Sequence, residues 1–174
     1  MAYRVIEKIC YNLVSLSVIS MVIKGVFAAR GCPYRWVPYG DSCYLGLDGS
    51  MEGHWSAAVT QCNLHNAYIM VPSSDWETRF ILNSFQLHDD LIGVWINCND
   101  EQVEGDWNCY ENGNPTEYRK WDYDQPDDDT RSSDQDYAMM ITKGNTDSLG
   151  RWRDLHNEFS QYIVCERPRQ ARCG

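Results

Sequence analysis

Positive charge is what this chain has least of. Its 15 Lys and Arg stand against 25 Asp and Glu, a formal net charge of −10. Nucleic acid and anionic membrane surfaces both select a basic face, so neither is expected as a principal partner. Long apolar runs are missing too. The stretch at residues 9 to 23 contains Asn12, Ser15, Ser17 and Ser20, which makes it too short and too polar to span a bilayer comfortably. The histidines, His54, His65, His88 and His156, form no helical metal pair, and no two cysteines are spaced as a two-residue knuckle. A zinc framework is therefore not expected. No spacing pairs a Ser or Cys nucleophile with a base, so neither is catalytic activity. Asn-x-Ser/Thr sequons are absent, which removes N-glycosylation.

Cysteine and aromatic residues, by contrast, are plentiful. Cys10, Cys32, Cys43, Cys62, Cys98, Cys109, Cys165 and Cys173 read as disulfide partners in an oxidising compartment. Arg4 and Lys8, the apolar stretch at 9 to 23, and the small residues Ala28 and Ala29 follow the plan of a secretory signal peptide. Residues 1–29 are accordingly read as a signal peptide, 30–168 as one domain and 169–174 as a C-terminal tail of a secreted, extracellular protein. A single-pass membrane anchor at residues 9–23 is the competing reading. Removing the leader removes Cys10 and leaves an odd cysteine. A composition of 43% hydrophobic and 13% aromatic residues belongs to a folded chain, and the length suits one core.

The mature chain opens GCPYRWVPYGDSCY, aromatics alternating with turn formers as in a short hairpin. Trp55, Ala58, Val59 and Cys62 then recur at the spacing of one helical face. AYIMV before Pro72 has strand composition. Ser74 and Glu77 are spaced as a capping box, in which the serine accepts from the first-turn amides and the glutamate returns the bond. This predicts a second helix burying Trp76, Phe80, Ile81 and Phe85. LIGVWI, from Leu91 to Ile96, reads as a central strand. From Asn97 to about Gln135 no period is clear, and loops of that length are usually functional or disordered. Strands are expected again at Tyr137 to Thr142, Gly150 to Asp154 and Gln161 to Glu166. Trp55, Trp76, Trp95 and Trp152 are expected in the core. The pattern is that of an α+β domain with two helices and a functional loop.

Within that loop Asp122, Asp124, Asp127, Asp128, Asp129, Asp134 and Asp136 place seven carboxylates in fifteen residues. Crowded like charges either splay in water or fold around cations that cancel the repulsion. Trp107, Tyr118 and Trp121 lie upstream and an apolar run from Tyr137 to Ile141 downstream. Disordered tracts seldom carry anchors on both flanks. The folded, cation-binding reading is therefore favoured, and the Asp, Asn and Gln oxygens of this stretch suit calcium.

In order and spacing, these residues resemble the C-type lectin-like domain over about Cys32 to Glu166. The resemblance rests on the opening Cys32 and Cys43, the Trp55 to Cys62 helix, the capped second helix and the VWIN strand. It rests also on Glu104-Gly105 before Trp107, the Tyr118 to Trp121 segment, Gln125-Pro126-Asp127, Gly150-Arg151-Trp152 and Val164-Cys165-Glu166. It implies a C-type lectin-like fold of two helices, antiparallel sheets and a long disulfide-tied calcium-binding loop. It implies the disulfides Cys32–Cys43, Cys62–Cys165 and Cys98–Cys109. The family's second core bridge would fall at Tyr137 and Asn157, and both cysteines are absent together. Cys173 is then left over, available for a disulfide-linked dimer, the alternatives being a free thiol or a processing remnant.

The resemblance further implies sugar binding by direct coordination to calcium (Ca2+). Gln125, Asp127, Gln135 and Asp154 are the implied ligands of the sugar-site ion, and Gln125, Asp127 and Asp154 the implied sugar contacts. The Gln-Pro-Asp order, whose proline is normally cis in the family, goes with galactose-type sugars. Asp100, Glu104, Asp128 and Asp136 match an auxiliary calcium site. Three positions depart from the pattern: Gln135 stands for an acidic ligand, Arg153 for an Asn, and Asp129 where galactose binders often stack a Trp. Guanidinium has no acceptor, so Arg153 is expected either to bond Asp127 or Asp134 in the cation's place or to point outward while Asp134 substitutes. Trp107 and Trp121 are expected to pack rather than to touch sugar. The implied function is calcium-dependent binding of a galactose-type carbohydrate or glycoprotein, the alternative being a non-sugar protein-interaction module on the same surface.

Overall fold

The computed structural model describes residues 31–47, 53–85, 91–128 and 134–170. The expectations for residues 1–29, Asp129 and Cys173 lie outside the described residues. In chain order the described elements begin with β1 (Val37–Tyr39), β2 (Ser42–Gly46), α1 (Trp55–Leu64), β3 (Tyr68–Ile69) and α2 (Asp75–Ser84). They continue with β4 (Gly93–Asn99), β5 (Asn108–Glu111), β6 (Asn114–Pro115), β7 (Tyr137–Ile141), β8 (Trp152–Leu155) and β9 (Val164–Pro168). The strands form two antiparallel sheets, ordered β1-β2-β9-β3 and β6-β5-β4-β7-β8. The α+β expectation therefore holds.

Both helices are laid down by their apolar spacing, and disulfides tie the interior strands of the sheets to their neighbours. Ala58 and Cys62 face inward from α1, and Cys62–Cys165 ties that face to β9. The bridge spans a sequence separation of 103, which in the chain-entropy model stabilises by about 4 to 5 kcal/mol. Cys32–Cys43 clips the opening hairpin, and Cys98–Cys109 joins directly opposed residues of β4 and β5. All three implied pairings are present. Trp95, fully buried, donates its indole N–H to Gly53 O at 2.7 Å, anchoring the central strand under α1.

Four expectations need correction. Trp76 is 70% exposed, because the inward face of α2 is centred on Glu77, Thr78 and Ile81, and Arg79 stacks 5.1 Å over the outward ring. Phe80 and Phe85 do pack against the core. Ser74 caps α2 by accepting from the Glu77 amide at 3.2 Å, yet Glu77 does not return the bond. Its carboxylate accepts from the Ser73 amide (2.8 Å) and hydroxyl (2.7 Å) and from Tyr44, drawn inward by buried partners. The span from 97 to 135 is not structureless, since the β5–β6 hairpin lies within it. Asn112 (φ 50°) and Gly113 (φ 80°) make its tight turn, the left-handed pair that two-residue hairpins require. Finally, the last strand begins later than expected, because Gln161 and Tyr162 bridge to Gly53 and Val94 before the chain enters β9.

Beyond β9 the chain stays attached. The Arg169 amide bonds Asp41 O at 2.7 Å and that of Gln170 bonds Gly31 O at 3.3 Å.

Candidate functional site

The acidic loop folds against the ends of β4, β7 and β8, and main-chain hydrogen bonds bring its distant carboxylates together. Asp100 leaves β4 with its amide bonded to Asp136 O at 3.1 Å, so the two carboxylates face one another across the sheet end. Glu104 returns toward them on a turn held by Gly105 N–H, which donates to Asp100 Oδ2 at 2.9 Å. Oxygens of Asp100, Glu104 and Asp136 all lie within 4.8 Å of one another. Asp100 is 2% exposed, and its Oδ1 is buried without a hydrogen-bond partner. An orphaned carboxylate oxygen among other carboxylates is costly unless a proton or cation joins it.

The titration behaviour follows. Burial, then repulsion from Asp128, pushes Asp100 above the usual carboxylate range. Burial and the charges of Asp100, Asp128 and Asp136 raise Glu104, and burial with Asp100, Asp134, Glu101 and Asp128 raises Asp136. Three of the four implied auxiliary ligands therefore converge, and Asp128 stands close enough to repel all three. The donor set is all oxygen, as a hard cation demands.

The second implied set is assembled around Asp154. This β8 residue is 2% exposed, and its carboxylate accepts from the amides of Asp127 (3.1 and 3.3 Å) and Asp128 (2.7 Å). Burial, set against these bonds, leaves its pKa raised. Asp128 Oδ1 in turn accepts from the Gln135 amide at 3.1 Å. Gln125, joined to Pro126 by a cis peptide, precedes Asp127 on the same loop. The backbone at Asp127 and Asp128 is thus tied to Asp154, and that of Gln135 to Asp128; a carboxylate offers about four acceptor positions, so the amides leave Asp154 capacity for a cation.

Arg153 bonds neither Asp127 nor Asp134. Its Nε (3.2 Å) and Nη2 (2.8 Å) both donate to Asp122 Oδ2. Burial acts to raise Asp122, but the bonds from Arg153, the Tyr123 amide and Ser148 outweigh it and leave the group below its usual range. Strand alternation explains the placement, since Asp154 is buried while its neighbour Arg153 is exposed. Trp107 and Trp121 pack edge to face at 4.7 Å, and Trp121 meets Trp152 likewise at 5.8 Å.

A second carboxylate group escaped the sequence reading. Glu77, Glu111 and Glu166 also converge within 4.8 Å, far from the acidic run in sequence. Glu166 is fully buried. Its Oε1 accepts from Ser42 (2.6 Å), Asn112 (2.9 Å) and Tyr44 (3.1 Å), while Oε2 has no partner. Burial and the charges of Glu77 and Glu111 push it up to about 7. One signal was available: Cys165 faces α1, so the period of a strand turns Glu166 to the other side, beneath α2. Asp122 as the partner of Arg153 was missed as well.

Two helices, two antiparallel sheets stapled by disulfides, and a loop face dense in carboxylates define a small binding domain with oxygen-donor loops. Comparison with known proteins agrees. The lectin C-type domain family model matches residues 52–167. Mouse asialoglycoprotein receptor 2 is 29% identical over 143 residues, 79% of this chain and 42% of the receptor. The chain thus spans under half the length of that curated relative. Among solved structures, C-type lectin CEL-I from Cucumaria echinata superposes with a TM-score of 0.67 at 21% identity, covering 81% of this chain and 99% of that one. A calcium-independent type II antifreeze protein has a TM-score of 0.64 at 22% identity, covering 80% and 95%. The chain belongs to the C-type lectin domain family, and that membership supports carbohydrate binding in general.

Proposed function

We propose that this domain binds galactose-type carbohydrate, free or on a glycoprotein, in a calcium-dependent manner. Gln125, Asp127, Gln135 and Asp154 would hold the sugar-site ion, and Asp100, Glu104, Asp128 and Asp136 an auxiliary one. When bound, calcium supplies coordination positions that neighbouring sugar hydroxyls fill. The protein's own share is recognition and order. Asp127 and Asp154 accept from sugar hydroxyls, while the Gln125 carboxamide both donates and accepts. Asp100, Glu104, Asp128 and Asp136 fix the loop that presents them.

The observation that carries this reading is the pairing of Asp154 with the amides of Asp127 and Asp128 while Arg153 is held on Asp122. The loop backbone is fastened to Asp154, and Arg153, its neighbour on β8, is engaged elsewhere. Retention of the protein on immobilised galactose tests it. Retention that chelator and free galactose each reverse, and that Asp154→Asn abolishes, is the expected result; retention indifferent to chelator contradicts it.

A second reading, a non-sugar interaction module, draws on the two carboxamides among the sugar-site ligands and on the likeness in fold to a calcium-independent protein. Melting that responds to chelator without any galactose retention would select it. We also propose secretion, consistent with the disulfides, and a dimer through Cys173, which non-reducing electrophoresis would reveal.

A further inference from the structure

The segment leading into the proposed sugar site is a pinned turn. The Asp122 amide bonds Trp152 O at 2.8 Å, and the Gln125 amide bonds Asp122 O at 3.2 Å. Asp124, at φ 54°, reverses the chain between them. Asp122 is held by Arg153 and by the Ser148 hydroxyl, 3.3 Å away. At the tip of this restrained turn Tyr123 is 86% exposed. Tyr123 lines a cleft of about 380 Å³ together with Asp122, Asn145, Asp147, Ser148 and Arg151. The other wall is equally ordered: Arg151 Nε bonds Asp147 O at 2.8 Å, and Asn145 Oδ1 accepts the Ser148 amide at 2.9 Å. Among the described residues, nothing hydrogen-bonds the Asp147 carboxylate, Asn145 Nδ2 or Arg151 Nη2.

We infer that this cleft is a second carbohydrate subsite, which takes the neutral sugar residue linked to the one bound at Gln125 and Asp127, so that the natural ligand is an oligosaccharide. This rests on the sugar-site reading above. Tyr123 lies two residues from Gln125, at most about 7 Å along the chain, a separation within the length of a short oligosaccharide. A pyranose carries a face of C–H groups that packs on an aromatic ring and a rim of hydroxyls. Asp147 accepts from such hydroxyls, Arg151 donates to them and Asn145 does both. The charges of Asp122 and Asp147 offset those of Arg151 and Arg153 within a chain of net charge −10, so nothing in the cleft selects an anionic sugar.

Calorimetric titration in calcium tests the subsite, with galactose, a neutral galactose-terminated trisaccharide and a sialic-acid-capped counterpart as ligands. The wild type should bind the neutral trisaccharide about tenfold more tightly than galactose, and Tyr123→Ala should lose about three- to tenfold of that while binding galactose unchanged. Asp147→Asn should show the same selective loss. Wild-type binding of galactose with no gain from the trisaccharide, a variant effect equal for both sugars, or preference for the anionic ligand overturns the subsite alone. Failure to bind any of these sugars overturns the sugar site and the subsite together. The exposure of Tyr123 keeps the variant folded, which an unchanged melting curve verifies.

Discussion

The guanidinium of Arg153 closes on the carboxylate of Asp122, with Nη2 2.8 Å from Oδ2. That contact holds a full positive charge off the neighbouring Asp154, whose carboxylate faces the Asp127 and Asp128 amides. Asp122→Asn should release it. Calcium affinity at the sugar-site position is then expected to fall about three- to tenfold, and the double variant with Arg153→Asn should recover it. Titration calorimetry on all members of this cycle isolates the coupling; equal affinity in wild type and Asp122→Asn would count against the contact's protective role.

At Asp100 the orphaned oxygen supplies a sharper expectation. Asp100→Asn keeps an acceptor for the Gly105 amide and gives Glu104 or Asp136 a donor. Without calcium the variant should be more stable by about 1 kcal/mol, roughly 2 to 4 °C in melting temperature. With calcium the order should reverse, because a charged ligand has been removed. Scanning calorimetry in chelator and in excess calcium reads both.

The Glu77–Glu111–Glu166 group sets a pH dependence. The folded pKa of Glu166, about 7 against an ordinary 4.5, is raised, so its contribution to stability is fully present below about pH 4.5 and lost as pH rises through about 7. The raised values of Asp100, Glu104 and Asp136 act in the same direction within the carboxylate range. In chelator, urea unfolding should show stability falling between about pH 4 and 7, and Glu166→Gln should flatten that slope. A slope unchanged by the substitution assigns the dependence elsewhere.

Two tryptophans separate the surface from the core. Trp76→Ala, at an exposed ring, should change stability by about 0.5 kcal/mol or less. Trp152→Ala, at a fully buried one, should cost about 3 to 5 kcal/mol. Urea unfolding of the two variants measures both.

Local pattern made much of this legible. Helical spacing at Trp55, Ala58 and Cys62 located α1, and Ser74 marked the start of α2. Leu91 to Ile96 indicated the central strand, although pairing begins at Gly93 and runs to Asn99. What the sequence concealed depends on tertiary placement. Trp76 has the composition of a core residue, yet the face of α2 was rotated by Glu77, whose burial no propensity reveals. The β5–β6 hairpin was missed although Asn112-Gly113 is a turn signal readable without coordinates. Arg153 exposed the limit of alignment to a motif: its position marked it as an intruder among calcium ligands, but only the fold shows Asp122, thirty-one residues away, holding it. The glutamates at 77, 111 and 166 come from three separate elements and share no local pattern.

Calcium titration of the protein, with melting temperature and galactose retention followed in parallel, bears most directly on the acidic loop as a cation-held sugar site. The expected result is a melting temperature and a retained fraction that rise together with calcium, both lost in Asp154→Asn. A loop that neither stabilises with calcium nor retains galactose would contradict it, leaving a C-type lectin fold with another use for its carboxylates.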